Sequence, residues 1–382
     1  MSACMQRRAR MTLKRLGVGG LAAALGIVVG LLTSMAHAED RSRTVNVYAW
    51  AEYFPPSVID KFQRATGMHV NMTLFDSVNV AETTMSVGRS NFDVVTMNAT
   101  PQLVREIPGG YWKKLDRSAI PNAANADPTL LKLLERADPG NQYAVPWMWG
   151  TVGVMYNVDK VKALIGSVPA QSLDMVFDKK YSEKLAKCGI NILDSWGDIL
   201  PIVAEYLGLP KLAADPASLK AISAKLAEIK PQLRRIATAG YYEQMADGEL
   251  CVALGYSGDA MVGRRMVTEG KTGVSIAFTP PAGSVPVFID SMVIPADSPN
   301  PAGAAAFINF MMQPDMSAEV VNFIGFAGGN AAALKLLPPA VRDNPIVYPE
   351  PAVRARFELE PAYPPEDVRK YTRLWQQFIS GQ

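Results

Sequence analysis

The sequence predicts an α/β protein built from more than one domain. Three observations carry this. A strand-like run, an amphipathic helix and a second strand-like run follow one another from residue 45, the order of a βαβ unit. Further extended runs and helical stretches alternate along the rest of the chain. Of the 382 residues the first 38 read as a leader, and the 344 that remain exceed what one apolar core usually holds.

The leader is expected from its own pattern. Arg7, Arg8, Arg10, Lys14 and Arg15 form a basic start, an apolar run follows to about Thr33, and Ala36-His37-Ala38 completes a cleavage site. The alternative, a membrane anchor, needs a longer and less glycine-rich run. Residues 1–38 therefore read as a cleaved export signal. The chain holds 38 basic and 36 acidic residues, and cutting away five basic and no acidic ones leaves an excess of three acids. No basic stripe or nucleic-acid motif is present, so a nucleic-acid partner is not expected.

The elements follow in order. "VNVY" alternates as a short strand. Pro55, Pro56 and Ser57 open a helix to about Thr66, with Val58, Ile59 and Phe62 on one face and Gly67 closing it. "MHVNMTLFDS" reads as the next strand, 80–88 as helix and "FDVVTMN" as a third strand. The segment 143–157 is one long extended run rich in aromatic and β-branched residues. Helical stretches are expected near 171–186, 196–207 and 217–229, and strands over 249–259 and 284–295. "PAGAAAFINFMMQPD" is a helix between prolines. A proline-rich tail over 336–366 ends in an amphipathic helix carrying Val368, Tyr371, Trp375, Phe378 and Ile379.

Cysteine and histidine narrow the chemistry. Cys188 and Cys251 survive the leader, and in an oxidising compartment a disulfide between them is the natural reading, against two buried thiols. His69 is the one histidine left, and it reads as a surface residue. A histidine-based nucleophile relay or a multi-histidine metal site cannot be built from it. GxSxG, HExxH and CxxC are absent, and "EGKTG" lacks the first glycine of a phosphate loop because Arg265 stands there. Neither a cofactor nor a metal is implied. A secreted hydrolase using a carboxylate pair such as Glu52 and Asp290 stays open as an alternative.

Ligands of open α/β sheets bind beyond the carboxyl ends of the strands. Those ends carry Trp50, Glu52 and Tyr53, then Ser77, then Asn98, then Tyr256 and Asp259; Phe288 and Asp290 sit within "VPVFIDSM". Aromatic and acid recur together: Trp50 with Glu52, Tyr256 with Asp259, Phe288 with Asp290. The carboxylate of such a pair neutralises an ammonium, and the ring face attracts the cation and covers its methylenes. Acids at both ends of an aromatic slot favour a diamine. Plainer readings compete. Trp50 fits a core, Asp259 fits a cap for a helix starting near Ala260, and Asp194 in "ILDSWGD" fits a turn or cap. Asp290 is the hardest to dismiss, because aspartate is depleted in strands.

These residues carry a resemblance. "VYAWAEY", "FDS", "FDVV", "VPWMWGTVGVMYNVDKV", "CGINILDS", "ADGELCVALGYSGDA", "FIDSMVIPADS" and "AAAFINFMMQPD" follow in the order seen in periplasmic polyamine-binding proteins, the solute receptors of putrescine and spermidine ABC importers. The resemblance runs from about Val45 to Gly381. It implies a type II periplasmic binding fold, with two lobes, crossing segments near "MWGT" and "GYSGD", and a ligand cleft between the lobes. Lobe one would take 45–149 and 259–328, and lobe two 150–258 and 329–382. It implies a cage of Trp50, Tyr53, Tyr256, Phe288 and Phe326, with Glu52, Asp259 and Asp290 gripping ammonium groups and Ser77 lining the cleft. It implies the Cys188–Cys251 disulfide, a monomer in the periplasm, and an inner-membrane ABC permease as partner. The cargo it implies is putrescine first, with spermidine, agmatine and cadaverine as alternatives.

Several positions depart from the family. Asn98 stands where a serine is usual, and Phe326 where some members have tyrosine. Gly197 stands where a glutamate is typical, so one acid of the cage is expected to be missing unless Asp198 replaces it.

Overall fold

A computed structural model describes residues 42–381, apart from positions 52, 76, 77, 212 and 361 and the side chains of 78 and 79. The expected leader, Glu52 and Ser77 lie outside the described residues. Strands run β1 Thr44–Trp50, β2 His69–Phe75, β3 Val94–Asn98, β4 Ala144–Asn157, β5 Ile190–Ile192, β6 Arg235–Ile236, β7 Val252–Tyr256, β8 Ile276–Thr279, β9 Val285–Val293, β10 Ala327–Gly328 and β11 Phe357–Leu359.

The opening βαβ unit forms as its pattern dictates. β1 pairs in parallel with β2 from Thr44↔His69 to Trp50↔Phe75, and with β3 at Val47↔Val94 and Tyr48↔Val95. The helix Pro56–Thr66 joins β1 to β2. Pro56 takes its first position, where a missing N–H costs nothing, and Val58, Ile59 and Phe62 are buried. The exposed His69 opens β2.

β4 holds the two halves together. Its residues 144–151 pair antiparallel with β9, and its residues 152–157 pair with β7 and β8. The strand path is β2-β1-β3-β9-β4-β7-β5-β6, with β10 and β8 added to β4 and β11 to β9. A strand buried along nearly its whole length reads as a continuous apolar and glycine-rich run, as "AVPWMWGTVGVMYN" does.

The buried side chains divide between the lobes. One core joins Val152 and Val154 of β4 with β5, β7 and the helix Trp196–Tyr206. The helix Pro365–Ser380 seals it with Tyr371, Leu374, Trp375 and Phe378. Two further clusters build the other lobe around β1, β3, β9 and the helices Pro301–Met311 and Pro314–Ile324.

This packing moves the boundaries expected from sequence. The helix Ser257–Gly270 and β8 lie on the same core as β7, through Ala260 and Ile276. The chain therefore returns to the first lobe at about 280–285, not at "GYSGD". Ala333 and Leu337 pack in the first lobe, so the second does not take up the tail at 329.

Several element ends also shift. The expected strand over 249–259 stops at Tyr256, because Ser257 already begins a helix. Asp259 sits in that helix's first turn and does not cap it. The expected helix over 171–186 breaks at Asp178, whose extended backbone caps Lys179–Leu185. One helix over 301–315 becomes two, because Pro314 starts the second.

Cys188 and Cys251 form a disulfide across 63 residues, tying the end of Lys179–Leu185 to the start of β7. Replacing both with alanine should lower stability by roughly 2–4 kcal/mol, the cost of freeing a loop of this length. Urea unfolding of the double variant checks this; an unchanged midpoint would contradict it.

Candidate functional site

The two lobes face each other across a cavity of about 1130 Å³. Trp50, Tyr53, Asn98, Asp194, Asp198, Tyr256, Asp259, Phe288, Asp290 and Phe326 all line it. The strand-end positions singled out from sequence and described here thus meet in one place. They come from the ends of β1, β3 and β7, from the middle of β9, from two helix starts, and from the connecting segments that carry Tyr53, Asp194 and Phe326.

The aromatic residues form a connected wall. Tyr53 lies 6.3 Å from Phe326, Phe326 lies 5.9 Å from Phe288, and Phe288 lies 5.4 Å from Tyr256, centre to centre. The last two contacts are edge-to-face, a favoured arrangement of aromatic rings. Trp50 leans on Phe75 at 4.6 Å, which braces its ring from behind. Phe326 reaches its place because residue 258 is glycine. A Cβ there would come within 2.2 Å of the Phe326 ring.

Three of the cavity acids named from sequence, Asp290, Asp259 and Asp198, are each held by a tyrosine. The Tyr53 hydroxyl donates to Asp290 Oδ2 at 2.5 Å. The Tyr241 hydroxyl donates to Asp259 Oδ2 at 2.6 Å and accepts from the Tyr256 backbone N–H at 3.0 Å. The Tyr256 hydroxyl donates to Asp198 Oδ2 at 2.8 Å. Burial, with the adjacent carboxylates, pushes all three phenols well above their ordinary range, so they stay protonated donors. A phenol orients a carboxylate without cancelling its charge.

One carboxylate oxygen among them has no partner. Asp290 is 3% exposed, and its Oδ1 has no hydrogen-bond partner. Trp50 Nε1 bears on the same carboxylate but stops short of hydrogen-bond geometry, and it too is unpartnered. Burial pushes the Asp290 carboxyl up to about 6, against the lowering effects of Tyr53 and Trp50. Burial likewise raises Asp198, while Ser195 and Tyr256 lower it. Among the described residues, no salt bridge reaches Asp290, Asp198 or Glu360. The basic groups on the lining are engaged elsewhere: Arg105 with Glu82 at 2.6 Å, Lys211 with Glu358 at 2.7 Å, and Arg235 with the Gln244 side chain at 3.0 Å and the Ala239 carbonyl at 2.9 Å.

Two sequence candidates take other duties. Asn98 caps the turn after β3 by accepting from the Thr100 N–H at 3.3 Å. Asp194 accepts from the Trp375 indole at 2.9 Å, and Ser195, not Asp194, caps the helix Trp196–Tyr206. Asp194 therefore stands exposed at the cavity rim, tied to the last helix.

A family model for the bacterial extracellular solute-binding proteins matches residues 57–349. The chain belongs to that family. This solute-binding protein is 37% identical to the putrescine-binding periplasmic protein SpuD of Pseudomonas aeruginosa, over 97% of its own length and 100% of the relative's. It is 34% identical to the putrescine-binding periplasmic protein PotF of Escherichia coli, over 94% and 97%. Among solved structures, a putative spermidine/putrescine ABC transporter protein from Listeria monocytogenes superposes with a TM-score of 0.77 at 27% identity, covering 89% of this chain and all of that one. The fold is the type II periplasmic binding fold.

Two site residues escaped the sequence reading. Tyr241 opens a short helix, and its contacts with Asp259 and the Tyr256 backbone mark it. Glu360 lies in the stretch read as a proline-rich tail. Its alternation in "FELE" was the available signal, since β11 carries that segment into the cleft.

The raised Asp290 carboxyl has a consequence for stability. The unfolded chain ionises this group near the ordinary carboxylate range, while the fold resists until about 6. The fold therefore binds more protons in that window and loses stability as pH rises through it. Asp290→Asn should stabilise the ligand-free protein above about pH 6, by on the order of 2–3 kcal/mol, and leave it unchanged below about pH 4. Thermal unfolding of both proteins across pH measures this; equal midpoints at all pH values would refute it.

Proposed function

We propose that the protein is a periplasmic receptor that captures a diamine, putrescine first, in the cleft between its lobes and hands it to an ABC importer permease. The observation that carries this is a ring-lined cavity whose buried Asp290 offers an unpartnered oxygen and has no protein cation in salt-bridge reach among the described residues. An ammonium supplies the missing charge, and the ring wall covers methylenes. The relatives named for putrescine binding support the choice of cargo.

Trp50, Tyr53, Tyr256, Phe288 and Phe326 form the cage, and Asp290 and Asp259 grip ammonium. Glu52 and Ser77 are assigned to the same cleft by the family resemblance. The lobes close on the ligand by bending β4 and the return segment, as hinged receptors do. The loaded form docks on the permease. The protein binds without turnover, works without a cofactor or metal, and acts as a monomer.

Calorimetry on protein stripped of ligand tests this with putrescine, cadaverine, agmatine, spermidine and spermine. One site per chain and tightest binding of putrescine are expected, with no product formed. Asp290→Asn should cost about 2–5 kcal/mol of binding, the penalty for removing one partner of a buried charge pair. Silence with every amine would defeat the reading, and turnover dependent on Asp290 would favour the hydrolase instead.

A further inference from the structure

An acid from another part of the chain lies beside residue 197. Residue 197 is glycine, and the space beside it is filled by the Glu360 carboxylate. A Cβ at 197 would stand 2.5 Å from Glu360 Oε1. A side chain at 197 and Glu360 in this place exclude each other.

The register of β11 explains how Glu360 gets there. β11 pairs in parallel with β9 at Phe357↔Val285, Glu358↔Pro286 and Leu359↔Val287. Side chains alternate across a strand. Phe357 and Leu359 join the apolar cluster that holds Val287 and Ile289, so Glu358 and Glu360 turn to the cleft with Phe288 and Asp290. Carrying the register one residue further sets Glu360 beside Phe288. Asp290 lies two residues along β9, roughly 7 Å further, and one strand spacing of about 5 Å separates the two chains.

The two cleft-facing glutamates differ in one respect. Glu358 is paired with Lys211 at 2.7 Å. Glu360 Oε1 is sealed from solvent and has no hydrogen-bond partner. Asp290, buried, and Glu360, half-buried with its Oε1 sealed, thus each keep an unpartnered oxygen on the cavity that Phe288 also lines.

We propose that Glu360 is a specificity-determining residue whose carboxylate receives the second ammonium of the diamine, in the space vacated by a side chain at 197. This rests on the amine-receptor reading above. Burial, and then the nearby Asp198, hold the Glu360 carboxyl well above the ordinary carboxylate range, against a lowering by Arg105. An arriving ammonium favours the ionised form, so the proton leaves to solvent as the ligand binds.

Putrescine calorimetry at neutral pH, repeated in buffers of different ionisation enthalpy, reads both affinity and proton release. The wild type should bind with release of a proton. Glu360→Gln should bind roughly 10- to 100-fold more weakly, the loss of a hydrogen bond to a charged group, and should no longer release that proton. Gly197→Ala should weaken binding too, by displacing Glu360. If Glu360→Gln keeps the wild-type affinity and proton release while Asp290→Asn weakens binding, Glu360 is only wall and the amine-receptor reading stands. If the wild type binds neither putrescine nor any other amine tested, both fall.

Discussion

Everything in the cleft depends on keeping Asp290 and Asp198 out of water with no salt bridge to either among the described residues. A buried carboxylate left uncompensated costs several kcal/mol. The protein meets part of that cost with hydroxyls. Tyr53, Tyr241 and Tyr256 each donate to one oxygen of Asp290, Asp259 and Asp198. These donors fix the acids in direction while their charge remains available. The rest of the cost stays in the empty receptor, visible in the raised Asp290 carboxyl. A cationic ligand removes it, so part of the binding energy is stored in the fold beforehand.

The fold supplies the arrangement through two strands. β9 presents Phe288 and Asp290 on one face and packs Val287 and Ile289 on the other. β4 runs from the first lobe into the second, so the cleft forms beside a strand both halves share. Because β7 ends at Tyr256 and a helix starts at once, Tyr256 and Asp259 enter the cavity from the second lobe. A ligand that touched both lobes would favour a closed form over an open one.

Much of this was legible in the sequence. The βαβ opening, the long extended segment and the final amphipathic helix all follow from local periodicity, and they formed where that periodicity placed them. The strand-end pairing of aromatic and acid brought Trp50, Tyr256, Asp259, Phe288 and Asp290 together before any contact was known. The lobe boundaries were harder to read, because the core that the helix Ser257–Gly270 joins is a tertiary fact that its own pattern does not encode. Glu360 was missed for a similar reason. Its role depends on β11 pairing with β9, a contact over some seventy residues, and on the absence of a side chain at 197. A position-by-position reading sees a lost acid at Gly197; three dimensions show an acid arriving from elsewhere.

The central claim is that Asp290 waits for an ammonium. A crystal structure of the protein grown with putrescine tests it most directly. The account predicts one diamine within the ring wall, with a nitrogen about 2.7–2.9 Å from Asp290 Oδ1, the distance of a charge-assisted hydrogen bond. A diamine bound outside the cleft, or inside it with neither nitrogen on Asp290, would contradict the account.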